Sequence, residues 1–335
     1  MAVREADAAL TRRALDLLRR RGIDCAPILE EVGLDEADLA ARESRVPCAT
    51  GAALLQAIAR VLDDPCFGLH LGHELRPRDL GLLGYISVNA PTLEVALRKL
   101  SDLLPLFYEG SRSSLEPAQD GAWLVWSPIE PAVAACHHCD DLAMSVALRL
   151  CRHATRRAFA PLQVDLRHER IGSAGLYRRI FHAPVLFGCE TTRLLIPREI
   201  LACRLPDADP GLLDLLEGYA EEIRRRRRPE GDLVAEVQEE VLDLLPSGAV
   251  SVDTVARRLR TSPRTLHRRL RAAGTSFGEI VDGLRRELAL GYVREGGPRL
   301  KTVAGLLGYQ EVSAFSHAFR RWTGTTPSSY RQLAA

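Results

Sequence analysis

The sequence predicts an α+β N-terminal domain followed by an all-α C-terminal domain with two helix-turn-helix motifs joined by a long helix. Three observations predict this fold class. Sequence patterns typical of helices and of strands both occur in the first 206 residues, and the pattern is helical from Leu233 onward. In addition, the pattern of a pair of short helices occurs in two copies, 48–50 residues apart. We therefore expect an α+β domain over residues 1–206, a connecting helix with an arginine-rich hinge over 207–231, and the double helix-turn-helix domain over 232–335.

The composition is compatible with two folded domains. The 335 residues are 46% hydrophobic and 27% charged, as in ordinary globular proteins. No apolar run approaches the ~18–20 residues that a membrane-spanning helix needs. The N-terminus mixes acids with bases and lacks the features of a signal peptide. We therefore expect a cytoplasmic protein that does not enter a membrane.

The N-terminal domain is expected to begin with helices and to continue with short strands. The stretch "APTLEVALRKLSDLLPLF" predicts a helix, with Thr92 as its N-cap ahead of apolar residues at helical spacing. The stretch Cys139–Ala158 is a second helical candidate. Four strands, each bounded by Gly or Pro, are expected at Ala122–Pro128, Leu162–Glu169, Val185–Gly188 and Thr192–Pro197.

The connecting segment carries an apolar stripe and ends in the run Arg224–Arg228, followed by Pro229. Five arginines admit two interpretations that the sequence leaves open. They could bind nucleic acid, or they could form an exposed helix end whose positive charge complements the helix dipole.

The C-terminal domain repeats one pattern. "TVARRL" is echoed by "TVAGLL" and "LHRRL" by "FSHAF". Each copy predicts a short helix, a tight break and a second helix, which is the pattern of a helix-turn-helix motif that braces one helix in the major groove of DNA. The four helices are expected at Val252–Leu259, Pro263–Ala273, Leu300–Leu307 and Glu311–Thr323.

The spacing of apolar residues predicts which face of each second helix is buried. The residues expected to pack inward are Leu266, Leu270, Phe315, Phe319 and Trp322. The polar residues expected to point outward are Arg264, His267, Arg268, Arg271, Ser313, Ser316, His317 and Arg320. Two outward polar faces in one domain indicate two surfaces for a shared ligand.

The charge distribution indicates that this ligand is a polyanion. From Ser251 onward, 15 Lys and Arg face 6 acids, a net charge of +9, whereas the chain as a whole has a net charge of +1. Between the copies, "SFGEIVDGLRRELALGYVRE" predicts a helix of roughly 18 residues, or about 27 Å. Because successive major grooves on one face of DNA lie about 34 Å apart, this spacing would allow both modules to bind adjacent grooves.

The quoted residues also carry a resemblance. "SPRTLHRRLRAAGTSF", "LRRELALGYV" and "TVAGLLGYQEVSAFSHAFRRWTGTTPSSYR" resemble the DNA-binding domain of AraC/XylS-family transcriptional regulators over about 100 residues. "FGLHLGHELRPRDLGLLGYISVNAPTLEVALRKLSDLLPLF" resembles the effector domain of the subgroup typified by ornithine-utilisation regulators, which is catalogued as arabinose-binding-like. The resemblance implies a sequence-specific transcription regulator, activator or repressor, whose N-terminal domain senses a small metabolite. It further implies promoter DNA, RNA polymerase and a second copy of the chain in a homodimer as partners.

The resemblance also assigns roles to individual residues. Base reading falls to Arg264, His267, Arg268, Ser313 and His317. Phosphate contacts, which fix register without reading sequence, fall to Arg269, Arg271, Ser316, Arg320 and Arg321. Related sequences commonly carry Arg where this chain has His317. Since histidine is shorter and its charge is conditional near neutral pH, the second module is expected to read fewer bases or to bind more weakly.

Two short motifs look like metal sites but lack the required pattern. "CHHC" at residues 136–139 has no second cluster to supply the four ligands of structural zinc, and "HLGHE" at residues 70–74 lacks the order of a zinc hydrolase. No catalytic residue, metal or cofactor is therefore expected. The alternatives are a DNA-binding module fused to a cysteine- or metal-dependent sensor or alkyl-transfer enzyme, and a ligand-independent regulator controlled by a protein partner.

A pocket for the effector is expected to be mainly apolar. The aromatic candidates for its lining are Tyr85, Phe107, Tyr108, Trp123 and Trp126. Ordinary core packing is the alternative interpretation of each of them.

Overall fold

The computed structural model describes residues 3–41, 43–227, 233–294 and 299–333. The chain divides into two compact units, Met1–Arg226 and Arg227–Ala335. Helices and strands are mixed in the first unit, and the described part of the second is helical, which confirms the predicted fold class. Among the described residues, no helix is long and apolar enough to cross a membrane.

The strands of the first unit form one small and one larger sheet. In the described residues they are β1 (Glu5–Asp7), β2 (Arg45–Pro47), β3 (Ser111–Ala118), β4 (Gly121–Pro128), β5 (Gln163–Asp165), β6 (Val185–Leu186) and β7 (Thr192–Pro197). β1 pairs with β2, and the other five form a sheet in the order β3-β4-β7-β5-β6, in which only β5 and β6 run parallel. Leu124 of β4 lies opposite Leu194 of β7, and both are buried. The centre of this sheet is therefore part of the apolar core.

Sequence patterning located the central strands better than the edge strand. The prediction for Thr192–Pro197 is confirmed residue for residue, whereas β5 and β6 are shorter than expected. β3 was not predicted, because "SRSSLEPA" is polar and contains Pro117. It forms because it pairs with β4 along its whole length, from Ser111 opposite Pro128 to Ala118 opposite Gly121. An edge position tolerates the proline, which cannot donate a hydrogen bond to a neighbour.

Twelve helices surround the sheets in the described part of the first unit. They are α1 (Ala9–Arg20), α2 (Ala26–Val32), α3 (Glu36–Ala40), α4 (Cys48–Val61), α5 (Phe67–Glu74), α6 (Gly81–Asn89), α7 (Leu93–Phe107), α8 (Pro131–Ala134), α9 (His137–Thr155), α10 (Ala174–Phe181), α11 (Arg198–Leu201) and α12 (Pro210–Arg226). As predicted, Thr92 caps α7: its side chain accepts the backbone N–H of Val95 at 3.4 Å. Helices α5 and α9 cross so closely that a Cβ on Gly68 would lie 2.1 Å from the carbonyl oxygen of His138. Only glycine fits at this crossing.

Two adjacent buried carboxylates hold α9 in place. Asp140 receives two hydrogen bonds from the guanidinium of Arg167, both 3.1 Å long. Asp141 accepts the Tyr177 hydroxyl at 3.0 Å and lies 3.2 Å from Nε2 of His168. Because a buried charge is tolerated only when it is paired and hydrogen-bonded, these contacts fix α9 against α10 and the segment after β5.

Helix α12 covers most of the segment, residues 207–231, that the sequence assigns to a connection. Its Leu213 and Ala220 are buried in the core of the first unit, and Glu217 forms an ion pair with Lys99 of α7. Residues 228–231 of the expected hinge lie outside the described residues. Leu216 and Ile223 also pack against this core, whereas Leu212 and Tyr219 of the apolar stripe are exposed.

The second unit consists of helices in its described residues. They are α13 (Leu233–Leu244), α14 (Val252–Arg258), α15 (Pro263–Ala272), α16 (Phe277–Arg294), α17 (Leu300–Leu306), α18 (Val312–Thr323) and α19 (Pro327–Leu333). Each of the four helices of the doubled pattern is present, with ends that differ from the prediction by at most one residue. The long helix α16 contributes Ile280 and Val281 to the core of the first module and Ala289 and Val293 to that of the second. The two modules are thus built on one continuous helix.

Both helix-turn-helix breaks place one residue in the left-handed region. In the first module it is Arg260, with φ 52°, and in the second it is Gly308, with φ 72°. The two positions correspond in the repeat. Gly308 has an additional constraint, since a Cβ there would lie 2.7 Å from the backbone oxygen of Leu245. The second turn therefore requires glycine for both its φ angle and its packing.

Substitution of Gly308 by Ala is expected to destabilise the second unit by at least about 1–2 kcal/mol, the usual cost of the left-handed conformation for a residue with a Cβ. Gly305→Ala is the matched control, because Gly305 lies in α17 with nothing within 4 Å of its Cβ position. Alanine there is expected to be neutral or stabilising by about 0.5–1 kcal/mol. Urea denaturation followed by circular dichroism measures both effects. An equal loss in the two variants would contradict the packing argument.

Candidate nucleic-acid interface and effector cavity

Helix α15 is the first recognition helix, and local contacts fix where it begins. Ser262 accepts the backbone N–H of Thr265 at 3.1 Å, and Pro263 occupies the first turn, where a missing N–H costs no hydrogen bond. Leu266 and Leu270 are 0% exposed and anchor the helix to the core of the first module, as predicted. The remaining faces are held outward by this anchoring.

Four exposed polar side chains follow one stripe of α15: Arg264, His267, Arg268 and Arg271. Their spacing of three and four residues places them on the same face, which we call the first recognition face. None of the four side chains makes an ion pair or a hydrogen bond with another residue that the structure describes. Three unpaired guanidinium groups on one helical face can donate to phosphates and to guanine edges. Arg269 is also exposed and lies beside this face.

Helix α18 is the second recognition helix. Phe315 and Phe319 are fully buried, and Ser313, His317 and Arg320 are exposed on one stripe, which we call the second recognition face. Ser316 lies on the same stripe, but its hydroxyl donates to the backbone oxygen of Val312 at 2.8 Å. A phosphate contact requires a donor, so Ser316 must give up this bond to serve in the predicted role.

Asp282 of α16 binds two side chains at the C-terminal end of α18. One carboxylate oxygen accepts from the guanidinium of Arg321 at 2.7 Å, and the other accepts from the indole N–H of Trp322 at 3.0 Å. Arg321 was predicted as a phosphate contact and Trp322 as an inward residue. The sequence offered no signal for Asp282, because its partners follow about forty residues later without any characteristic spacing.

Arg285 holds the turn of the second module. Its Nε donates to the backbone oxygen of Leu307 at 2.9 Å, and its guanidinium lies 4.6 Å from the ring centroid of Tyr309. The hydrogen bond satisfies a carbonyl at the end of α17, and the ring contact adds a cation–π interaction. Of the arginines in α16, this one is therefore structural rather than available to DNA.

The first unit contains a cavity of about 240 Å³. Two of the five aromatic residues predicted to line an effector pocket, Tyr108 and Trp126, line this cavity. The other three lie elsewhere: Tyr85 is 48% exposed, Phe107 belongs to the packed core, and Trp123 stacks against an arginine at 4.0 Å. Most of the wall is aliphatic and comes from helices, so aromatic content was a poor guide to it.

The "CHHC" motif spans the start of α9. Cys136 is the buried N-cap residue, and Cys139, one turn later, lines the cavity. A hydrogen bond with the Cys139 thiol and backbone N–H groups of the helix start lower the pKa of Cys136, whereas that bond and burial raise the pKa of Cys139. Within the described ranges, no group of three or more His, Cys, Asp or Glu side chains is placed to hold a metal ion.

The buried histidine of this motif makes the stability of the first unit depend on pH. Burial, together with the neighbouring His137, lowers the pKa of His138 to about 4. The unfolded chain takes up a proton near pH 6.5 whereas the folded chain does not, so the stability contributed by neutral His138 is lost as pH falls from 6.5 towards 4. We expect His138→Gln, which cannot titrate, to show a smaller fall in Tm between pH 7 and pH 5 than the unsubstituted chain. His168, whose pKa Asp141 raises, is present in both proteins and cancels in the comparison. A fall as large in the variant would assign the acid sensitivity to other groups.

Comparison with known proteins identifies both units. Residues 22–205 match a family model described as the arabinose-binding domain of AraC transcription regulator, N-terminal, and residues 255–333 match a helix-turn-helix domain. The chain is 29% identical to the HTH-type transcriptional regulator VirS of Mycobacterium tuberculosis, over 94% of this chain and 93% of that protein. It is 26% identical to the ornithine utilization regulator of Pseudomonas aeruginosa, over 97% and 95% of the two chains.

Among solved structures, the transcriptional regulator CdpR of Pseudomonas aeruginosa is 26% identical over 97% of this chain and 98% of its own, with a TM-score of 0.47. The N-terminal family match alone covers more than half of the chain, and both curated relatives are described as regulators. The protein therefore belongs to the AraC family of DNA-binding transcription regulators and carries an arabinose-binding-like N-terminal domain.

Proposed function

We propose that the chain is a one-component regulator, in which a small effector bound by the first unit controls how the second unit binds promoter DNA. The observation that supports DNA binding is the pair of recognition faces. Each face is exposed and lies on a helix anchored in a buried apolar core, and both cores include residues of α16. With 18 residues, α16 is about 27 Å long. That length suits two modules in successive major grooves, about 34 Å apart.

The residues of the two faces divide by the contacts they can make. We assign base reading to Arg264, His267, Arg268, Ser313 and His317. We assign phosphate contacts to Arg269, Arg271, Arg320, Arg321 and, once it releases Val312, Ser316. Because the first face carries three arginines and the second carries one, the first module should supply most of the affinity.

In this proposal, the first unit binds the effector and thereby controls the affinity of the chain for its operator. A ligand that binds one conformation better than another shifts the population between them, and it can thereby change operator affinity. The matched family is described as arabinose-binding, and one relative is named as a regulator of ornithine utilization. We further propose that the regulator acts in the cytoplasm as a homodimer and contacts RNA polymerase.

The test begins with operator DNA selected from a random-sequence pool by the full chain. Hydroxyl-radical footprinting should then show, for each bound copy of the chain, two protected segments on one face of the duplex, about one helical turn apart. His317→Ala should weaken only the second segment, and Arg264→Ala should affect the first more strongly. Protection of a single segment per bound copy of the unsubstituted chain would contradict the two-groove arrangement.

A further inference from the structure

The wall of the cavity in the first unit is mainly aliphatic. Leu97, Leu100 and Leu104 face it from α7, and Ala143 and Ala147 face it from α9. An apolar cavity of about 150 Å³ is known to hold one benzene molecule of six carbons. By proportion, the 240 Å³ available here has room for about ten non-hydrogen atoms.

The cavity offers almost no charge to a ligand. Among the described residues that line it, Asp7 is the single acid, and no Lys, Arg or His is present. The Asp7 carboxylate already accepts the backbone N–H of Ala9 at 2.8 Å and lies 3.8 Å from a guanidinium nitrogen of Arg12. A carboxylate or phosphate on a ligand would find no cation, and an ammonium group would have to compete for an occupied carboxylate. Since an unpaired charge is strongly disfavoured in an apolar site, the part of a ligand that enters this cavity should be uncharged.

Three hydroxyl groups of the wall are free to bind one polar group. The side chains of Thr11, Tyr108 and Ser111 line the cavity and make no hydrogen bond with other described residues. By contrast, Ser101 and Ser113 bond to each other at 3.2 Å. Burial raises the pKa of Tyr108, so its hydroxyl remains a neutral donor.

Two of the three residues, Tyr108 and Ser111, lie near β1. Tyr108 forms an isolated backbone bridge with Ala6, the residue before Asp7. The backbone N–H of Ser111 donates to the backbone oxygen of Tyr108 at 3.3 Å. The wall of the cavity therefore offers hydrogen-bonding groups beside β1 in addition to its many aliphatic side chains.

We infer that this cavity binds a neutral amphiphile of about ten non-hydrogen atoms, with an aliphatic or alicyclic body and one uncharged hydrogen-bonding group such as a hydroxyl, ketone or ester. The inference rests on the proposed effector-sensing role of the first unit and names the chemical class of its ligand. It disfavours free amino acids, sugars and fatty acid anions, whose charges or multiple hydroxyl groups exceed what the wall can satisfy.

The test uses probes of one chain length with different head groups. The full chain is titrated by isothermal calorimetry with 1-nonanol, nonanoate and nonylammonium, and separately with L-arabinose and L-ornithine. Saturable binding of one nonanol per chain, at least about tenfold tighter than either charged analogue and with no measurable binding of the last two, is expected. Binding of nonanoate, ornithine or arabinose as tight as that of nonanol would overturn the inference, and so would the absence of nonanol binding.

A cavity-filling variant localises the binding. Ala147→Leu places three carbons in the cavity and should weaken nonanol binding at least about tenfold, without lowering Tm. Ala37→Leu makes the same change on the exposed surface of α3 and should leave binding unchanged. If Ala147→Leu lowers Tm strongly, the smaller Ala143→Val gives the same comparison. Unchanged nonanol binding in a folded cavity variant would overturn the location.

The failure of this inference can be distinguished from failure of the proposed control of DNA binding. Ligand binding is measured without DNA, and operator affinity is then measured with and without saturating nonanol. Nonanol that binds in the cavity but leaves operator affinity unchanged supports the ligand class and contradicts effector control through this site. Operator affinity that responds to ornithine or arabinose, with nonanol unbound, supports effector control and overturns the ligand class.

Discussion

Replacing Arg268 by Ala is expected to weaken binding of the selected operator by roughly 5- to 150-fold, which corresponds to the 1–3 kcal/mol that a base-reading arginine contributes. The guanidinium is exposed on the first recognition face and is not engaged by any described residue, so binding breaks no internal contact. The loss should be largest for the preferred operator and small for operators altered at the base pair that Arg268 reads. Fluorescence anisotropy with the operator and its single-base-pair variants measures this discrimination.

A matched arginine in the same unit provides the control. Arg258 lies in α14 and forms an ion pair with Glu240 of α13 at 2.9 Å, and Arg258→Ala should leave discrimination between operators unchanged. Arg271→Ala, at a proposed phosphate contact, should lower the affinity for all operators by a similar factor. A uniform loss for Arg268→Ala as well would reassign Arg268 to the phosphate backbone.

Replacing Phe319 by Ala is expected to destabilise the second module by about 3–5 kcal/mol, the usual cost of removing a buried aromatic side chain. Phe319 is 0% exposed and packs edge-to-face on Phe315 and Tyr330, with ring centroids 5.7 and 5.4 Å away. The core of this module is small, so few neighbours can move to fill the space. Guanidinium denaturation should show an early transition for the second module.

The Phe319→Ala variant also tests whether the two modules bind DNA independently. Its footprint should lose the second protected segment and keep the first, because the first module has its own core around Leu266 and Leu270. Leu306→Ala, at a partly exposed position of α17, is the control and should change stability by less than about 0.5 kcal/mol. Loss of both segments in Phe319→Ala would show that the two modules fold as one unit.

The second unit could be predicted closely because its helices are amphipathic over several turns and are written twice. Leu266 and Leu270 follow helical spacing, as do Phe315 and Phe319, and all four are buried as predicted. Periodicity of this kind depends on local sequence alone. Strand β3 could not be predicted in the same way, because its polar residues become a strand only through pairing with β4.

The sites were harder to predict than the fold. Exposed arginines on a helix are visible in the sequence, but Asp282, which engages Arg321 and Trp322, depends on tertiary contacts between distant residues. A cavity is even harder to predict from the sequence, because it is formed where side chains from several elements do not pack against one another. Residue type pointed to Trp123 and Tyr85, whereas the wall is formed by leucines and alanines that look like ordinary core residues.

The carboxylate of Asp282 has a consequence for the ions around the DNA. Each phosphate that a protein cation neutralises releases about 0.9 condensed counterions, so the slope of log affinity against log salt concentration counts these cations. Arg321 forms an ion pair with Asp282, and this pair adds no net charge to the surface of the protein that faces DNA. The two arginines of the first module that are assigned to phosphate, Arg269 and Arg271, should contribute about 1.8 to this slope, and Arg320 of the second module about 0.9. Raising the salt concentration should therefore weaken DNA binding by the first module more steeply than binding by the second, even though the first binds DNA more tightly.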